Sequence, residues 1–146
     1  MMSKLLSEIT RLHTEGKYVY AIDTMGELLT EDLPEAQSTI YHVSTIDNAL
    51  HIIEVIRNNM DGEHARDSAL VISNIDVLCS KRQLEHIRQA ENPLLNVAPP
   101  TTQDEMKYHS MVLFRRKELF SACDILRHLG MEVVILEDTK NGNQVR

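Results

Sequence analysis

Apolar residues fall into two kinds of run along the chain, one with helical spacing and one continuous. Leu5, Ile9 and Leu12, with Leu6, recur every three or four residues between a Ser3 cap and a Gly16 stop, so residues 3–15 read as an amphipathic helix. Residues 17–31 carry two signals. Tyr18, Val19, Tyr20, Ala21 and Ile22 have strand propensity. Tyr18, Ala21, Ile22, Met25, Leu28 and Leu29 also keep helical spacing, and we take the segment as a helix closed before Pro34. Residues 1–35 then form a helical hairpin.

From Ser38 the runs alternate in kind. STIYHVS (38–44) reads as a strand, and Ser44 with Asp47 forms a capping signal for a helix lined by Ile46, Ala49, Leu50, Ile53 and Ile56. SALVIS (68–73) is a second strand, followed by a helix near 80–91. Residues 91–107 hold three prolines and read as a surface loop. YHSMVLF (108–114) is taken as a third strand. Leu119, Ala122, Cys123, Leu126 and Leu129 line the clearest helix, stopped at Gly130. MEVVILED (131–138) is the fourth strand, and 139–146 a polar tail that frays. Strands followed by helices predict an α/β fold: one domain with a small, mainly parallel four-stranded sheet over 38–138, helices on both faces, and the N-terminal hairpin before it. The strand order is not legible.

The hairpin resembles one tetratricopeptide-type repeat through Gly16, Tyr18, Ala21, Met25 and Leu28, with Leu5, Ile9 and Leu12 on the preceding helix. That resemblance implies a helical surface for a peptide or protein partner. Residues 69–83 are similar to the Walker B region of AAA+ ATPases. Ile75, Asp76, Leu78, Cys79, Ser80, Lys81 and Arg82 follow its pattern, but Ser73 and Asn74 stand where the acidic pair would be. No GxxxxGK[ST] loop is present, so the resemblance implies a nucleotide-fold relic and not a working ATPase.

Charge narrows the functional classes. The formal net charge is −7, with an isoelectric point near 5.4. Residues 1–38 hold seven acids against three bases, whereas 101–146 hold seven of each, including the Arg115–Arg116–Lys117 cluster. The balance argues against nucleic acid as a partner. No continuous apolar stretch reaches the ~20 residues of a membrane span, and the N-terminus lacks a signal-peptide core. Two cysteines, with no CxxC pair, make a reducing cytoplasmic setting the expectation. Seven histidines show no metal-ligand spacing, so neither a metal nor another cofactor is expected.

Candidate chemistry follows from a rule for open parallel sheets: ligands bind beyond the carboxyl ends of the strands. That rule selects Ser44, Thr45 and Asp47, then Ser73, Asn74 and Asp76, then Arg115 and Arg116, then Glu137. Such a set suits a phosphorylated or nucleotide-like ligand in a small enzyme or sensor. The reading placed first is different. With no catalytic signature, the chain is expected to be a non-catalytic regulatory protein, an inhibitor or adaptor. Glu27, Glu31, Asp32 and Glu35 would face a protein partner. Two sheet edges needing cover make a homo-oligomer a further expectation.

Overall fold

The computed structural model describes residues 4–26, 28, 37–79, 102–139 and 142–145. In chain order these form α1 (Lys4–Thr14), β1 (Tyr18–Asp23), β2 (Ser38–His42), α2 (Ile46–Asn58), α3 (Gly62–Arg66) and β3 (Ser68–Ile72). A 3-10 turn (Ile75–Cys79), α4 (Thr102–His128), β4 (Glu132–Thr139) and β5 (Gly142–Val145) follow.

The fold is α/β. Four parallel strands lie in the order β2-β1-β3-β4, and β5 extends the sheet antiparallel to β4. The register pairs Ala21 with Ile40 on one side and with Val71 on the other, while Val71 also pairs with Val134. Alternation along each strand sorts side chains to the two faces. Val19, Ala21, Ala69, Val71, Val134 and Leu136 pack with Leu5, Ile9 and Leu12 of α1. Ile22, Leu70, Ile72, Val133 and Ile135 pack on the other face with α2 and α4. The central strands therefore need an apolar residue at nearly every position, as in sheets covered on both sides. Each fully buried leucine or isoleucine contributes ~1.5–3 kcal/mol relative to exposure.

Two elements differ from the sequence reading. Residues 17–31 are not the second helix of a hairpin. Tyr18–Asp23 is a strand at the centre of the sheet, and α1 is a single helix lying on it. A strand buried on both faces is apolar throughout, so it contains a helix-spaced subset by necessity. This also removes the tetratricopeptide-type hairpin. Residues 108–114 are not a strand either, but the first half of α4, which begins at Thr102 inside the expected loop. There Val112 is buried while Leu113 and Phe114 face outward at 48% and 60% exposure. One apolar run thus serves two faces of one helix. The tail expected to fray contains β5, with Glu137 in register with Gln144. The helix expected near 80–91 lies outside the described residues.

Both long-range helix stops are Schellman motifs. The Gly16 N–H donates to the His13 carbonyl at 2.9 Å and the Lys17 N–H to Leu12 at 3.1 Å. The Gly130 N–H donates to Arg127 at 3.0 Å and the Met131 N–H to Leu126 at 3.1 Å. Arg11 ties α1 to β4, donating to Glu132 at 2.7 Å and to Glu8 and Glu15 at 3.0 Å.

The glycines differ in what a side chain would meet. Gly130 has φ +106° and its added Cβ would lie 3.1 Å from Arg66 Cγ, whereas at Gly16, φ +82°, nothing stands within 4 Å. Gly130→Ala is therefore expected to cost about 2 kcal/mol and Gly16→Ala about 1 kcal/mol in urea unfolding. Equal costs would remove the Arg66 approach as a constraint.

Candidate functional site

The parallel strands send all their carboxyl ends to one edge, and the direction of winding reverses at β1. The chain goes from β1 to β2 on one side, then crosses back to β3 and β4 on the other. The edge between β1 and β3 is the switch point where open α/β sheets leave a crevice. Four polar or charged residues are buried among those described, and three of them, Asp23, Ser73 and Asn74, sit at that edge at 1% exposure each.

These groups are tied to one another. The Ser73 N–H continues the ladder to the Ile22 carbonyl at 2.9 Å. Ser73 Oγ accepts from the Thr24 N–H at 2.7 Å and lies 2.8 Å from Thr24 Oγ1. Thr24 Oγ1 in turn donates to the Asn74 carbonyl at 2.7 Å. Proton counting then makes Ser73 the donor to Thr24. Asn74 Oδ1 accepts from the Asp76 N–H at 3.0 Å and holds the start of the 3-10 turn. The Asp23 carboxylate folds the next loop over itself. It accepts from the Met25 N–H at 3.1 Å and the Leu28 N–H at 2.9 Å, and His42 Nδ1 stands 3.3 Å away.

The residues selected from sequence meet in pairs. Arg115 lies 3.1 Å from Asp47 and 3.0 Å from Glu118. Arg116 lies 3.6 Å from Asp76 and stacks 4.6 Å above the Phe120 ring. Both arginines reach this edge from α4 and not from a strand end, so they latch α4 to the N-terminus of α2 and to the 3-10 turn. Each faces a carboxylate, and an entering anion would have to displace one. Thr45, not Ser44, caps α2, its Oγ1 accepting from the Asn48 N–H at 3.1 Å. Ser44 follows β2, whereas Glu137 is on β4, so roughly 14 Å of sheet separates their strands. Asp23, Thr24 and His42 were not selected. The strand-end rule would have found Asp23, had YVYAI been read as a strand. Glu27, Glu31, Asp32 and Glu35 lie outside the described residues.

Comparison with family models, curated proteins and solved structures finds no match. Of the residues that carry the Walker B likeness, Ile75–Cys79 form the 3-10 turn after β3, whereas Ser80, Lys81 and Arg82 lie outside the described residues, and nothing beyond local shape follows.

Other chemistry is limited. Neither cysteine is in a disulfide. Burial pushes the Cys79 thiol above its usual range, against the opposing pull of Arg116, so it is not an activated thiolate. Among the described residues no three His, Cys, Asp or Glu side chains converge to hold a metal. No helix among them is long and apolar enough to cross a membrane. On the outer side of the molecule, α2 and α4 form a groove of about 320 Å³ lined by Leu50, Glu54, Arg57, Phe114, Lys117 and Ile125 among others.

Removing the Asp23 carboxylate leaves two loop N–H groups without their acceptor. Asp23→Ala should cost at least about 2 kcal/mol of unfolding free energy. A double-mutant cycle on the half-exposed Asp76–Arg116 pair should give a coupling below about 1 kcal/mol. The opposite ranking would make the latch, and not the buried network, the organiser of this edge.

Proposed function

We propose that this chain is a non-catalytic interaction protein, an adaptor or inhibitor, and that it works through the outer face of α4 and the adjoining α2. The carrying observation is a helix buried on one side that exposes four large apolar residues, set among polar ones, on the opposite side. At 100° per residue, Met106, Leu113, Phe114 and Ile125 fall within a roughly 120° arc. Val112, Leu119, Ala122, Cys123 and Leu126 occupy the opposite side and are buried. The first set is exposed by 42–64%. Large apolar side chains exposed along one stripe are a mark of a contact surface. The proposal moves the partner surface from the acidic N-terminal segment to α4. A reducing cytoplasm is the setting that fits two thiols outside any disulfide.

The test is assembly size. In extract of cells expressing the chain, it should elute well above its 16.7 kDa. Phe114→Glu with Ile125→Glu should return it to monomer size with an unchanged melting temperature. A wild-type monomer, or an unshifted double variant, would end this reading.

The buried network at the β1–β3 edge favours a second reading, a site for a small polar ligand. The acids Asp23, Asp47, Asp76 and Glu118 outnumber Arg115 and Arg116 there, which weakens the case for a phosphorylated or nucleotide-like molecule. On this reading nucleotides or sugar phosphates at millimolar concentration perturb the amide resonances of Thr24, Ser73 and Asn74. Unmoved resonances across such a panel would exclude that ligand class.

A further inference from the structure

We infer that the first half of α4, Thr102 to Arg116, is a strap that opens and closes over the 3-10 turn, and that its opening uncovers the turn and the Cys79 thiol. The inference does not depend on what meets the outer face of α4. It starts from how unevenly α4 is anchored. The second half sends Leu119, Ala122, Cys123 and Leu126 into the main core, each at 6% exposure or less. Among the described side chains of 103–116, Val112 alone is buried. It packs with Cys79 and Met111 in a small cluster apart from that core. Two ion pairs add to it. Arg115 reaches Asp47 at the start of α2, and Arg116 reaches Asp76 in the turn.

These contacts set how easily the strap opens. An isolated helix of about fifteen residues is marginal in water, so the closed state rests on docking. One buried valine supplies most of that docking, because half-exposed ion pairs hold little and are screened by salt. Segments with few buried apolar contacts open well below the free energy of global unfolding. Residues 102–128 contain no glycine or proline, so nothing in the helix favours a sharp bend. Opening is therefore an unwinding from the N-terminal end that stops where Leu119 enters the core. Arg116 stands at that boundary. It has the Phe120 ring at 4.6 Å on the anchored side and Asp76 at 3.6 Å across the turn. Arg115 does the same toward α2, with Asp47 at 3.1 Å. In the closed state burial pushes the Cys79 thiol up, so uncovering it also makes it more reactive.

Hydrogen exchange on the purified wild-type chain is the direct test. Amides of 107–114 should exchange at least about tenfold faster than those of 119–126, once intrinsic rates are removed. Raising the salt from about 0.05 M to about 0.5 M should speed the first set about twofold and leave the second unchanged. Cys79 reports the uncovering of the turn, with Cys123 at 0% exposure as the silent control. Its reaction with an aromatic disulfide reagent should rise about tenfold in Val112→Ala. In Arg116→Glu it should rise about two- to fivefold. Adding Asp76→Arg to Arg116→Glu should bring the rate back down. Equal protection of the two halves overturns the strap. Faster exchange in the first half, with no response to salt or to Arg116→Glu, is end fraying and overturns the latch. A Cys79 rate that is the same in the wild type and in Val112→Ala means that the thiol is reached with the strap closed, which overturns its control of the turn.

Discussion

Everything in this fold depends on β1 pairing on both of its edges. Its backbone donates and accepts toward β2 on one side and β3 on the other. Its side chains meet α1 on one face and the α2–α4 layer on the other. A strand so placed is largely shut off from solvent, so Val19, Ala21 and Ile22 are all at 0% exposure while Tyr18 and Tyr20 are partly buried. The connections inherit that constraint. β2 and β3 must reach opposite edges of β1, which forces the crossing that carries α2 over the sheet. Because β4 then adds beyond β3, α4 must return on the same face as α2, and the two helices become neighbours.

The polar edge is a consequence of the same placement. Where β1 and β3 end, their backbones leave the ladder inside the molecule, and the groups set free there need partners. Asp23, Thr24, Ser73 and Asn74 supply them to one another. Asp23 is the strongest case, because a carboxylate at 1% exposure is tolerable only with donors on its oxygens. Two loop N–H groups and His42 occupy that position. This network is sufficient to explain why polar residues are buried there, and it does not by itself demand a ligand.

What the sequence made legible follows from how local each signal is. The edges of β2, β3 and β4, the caps at Gly16 and Gly130, and the inward faces of α1 and α2 are set by residues close in the chain. The α/β class followed from them. Tyr18–Asp23 and 108–114 were not legible, and for one reason. A short apolar run fits both the helical and the strand period, and only its tertiary neighbours decide between them. β1 has sheet neighbours on both edges, whereas Met111–Phe114 continues a helix anchored by Leu119 and Leu126. The selected site residues suffered from the same error. Arg115 and Arg116 were assigned to a strand end and lie on a helix, yet they still meet Asp47 and Asp76, because the N-terminus of α2 and the 3-10 turn flank that helix.

The ambiguity at 108–114 is itself informative. A helix packed on a sheet needs one apolar stripe, and its outward face is free to be charged. In α4 that outward face carries Leu113, Phe114, Ile125 and Met106 among its lysines and serines. Core packing cannot be their cause, since Val112, Leu119 and Leu126 already fill the inner side at 0% exposure. Helix propensity is no cause either, since phenylalanine and isoleucine are poorer helix formers than the charged residues that would replace them. The outer apolar residues therefore need a cause outside the core, and the proposed contact surface supplies one.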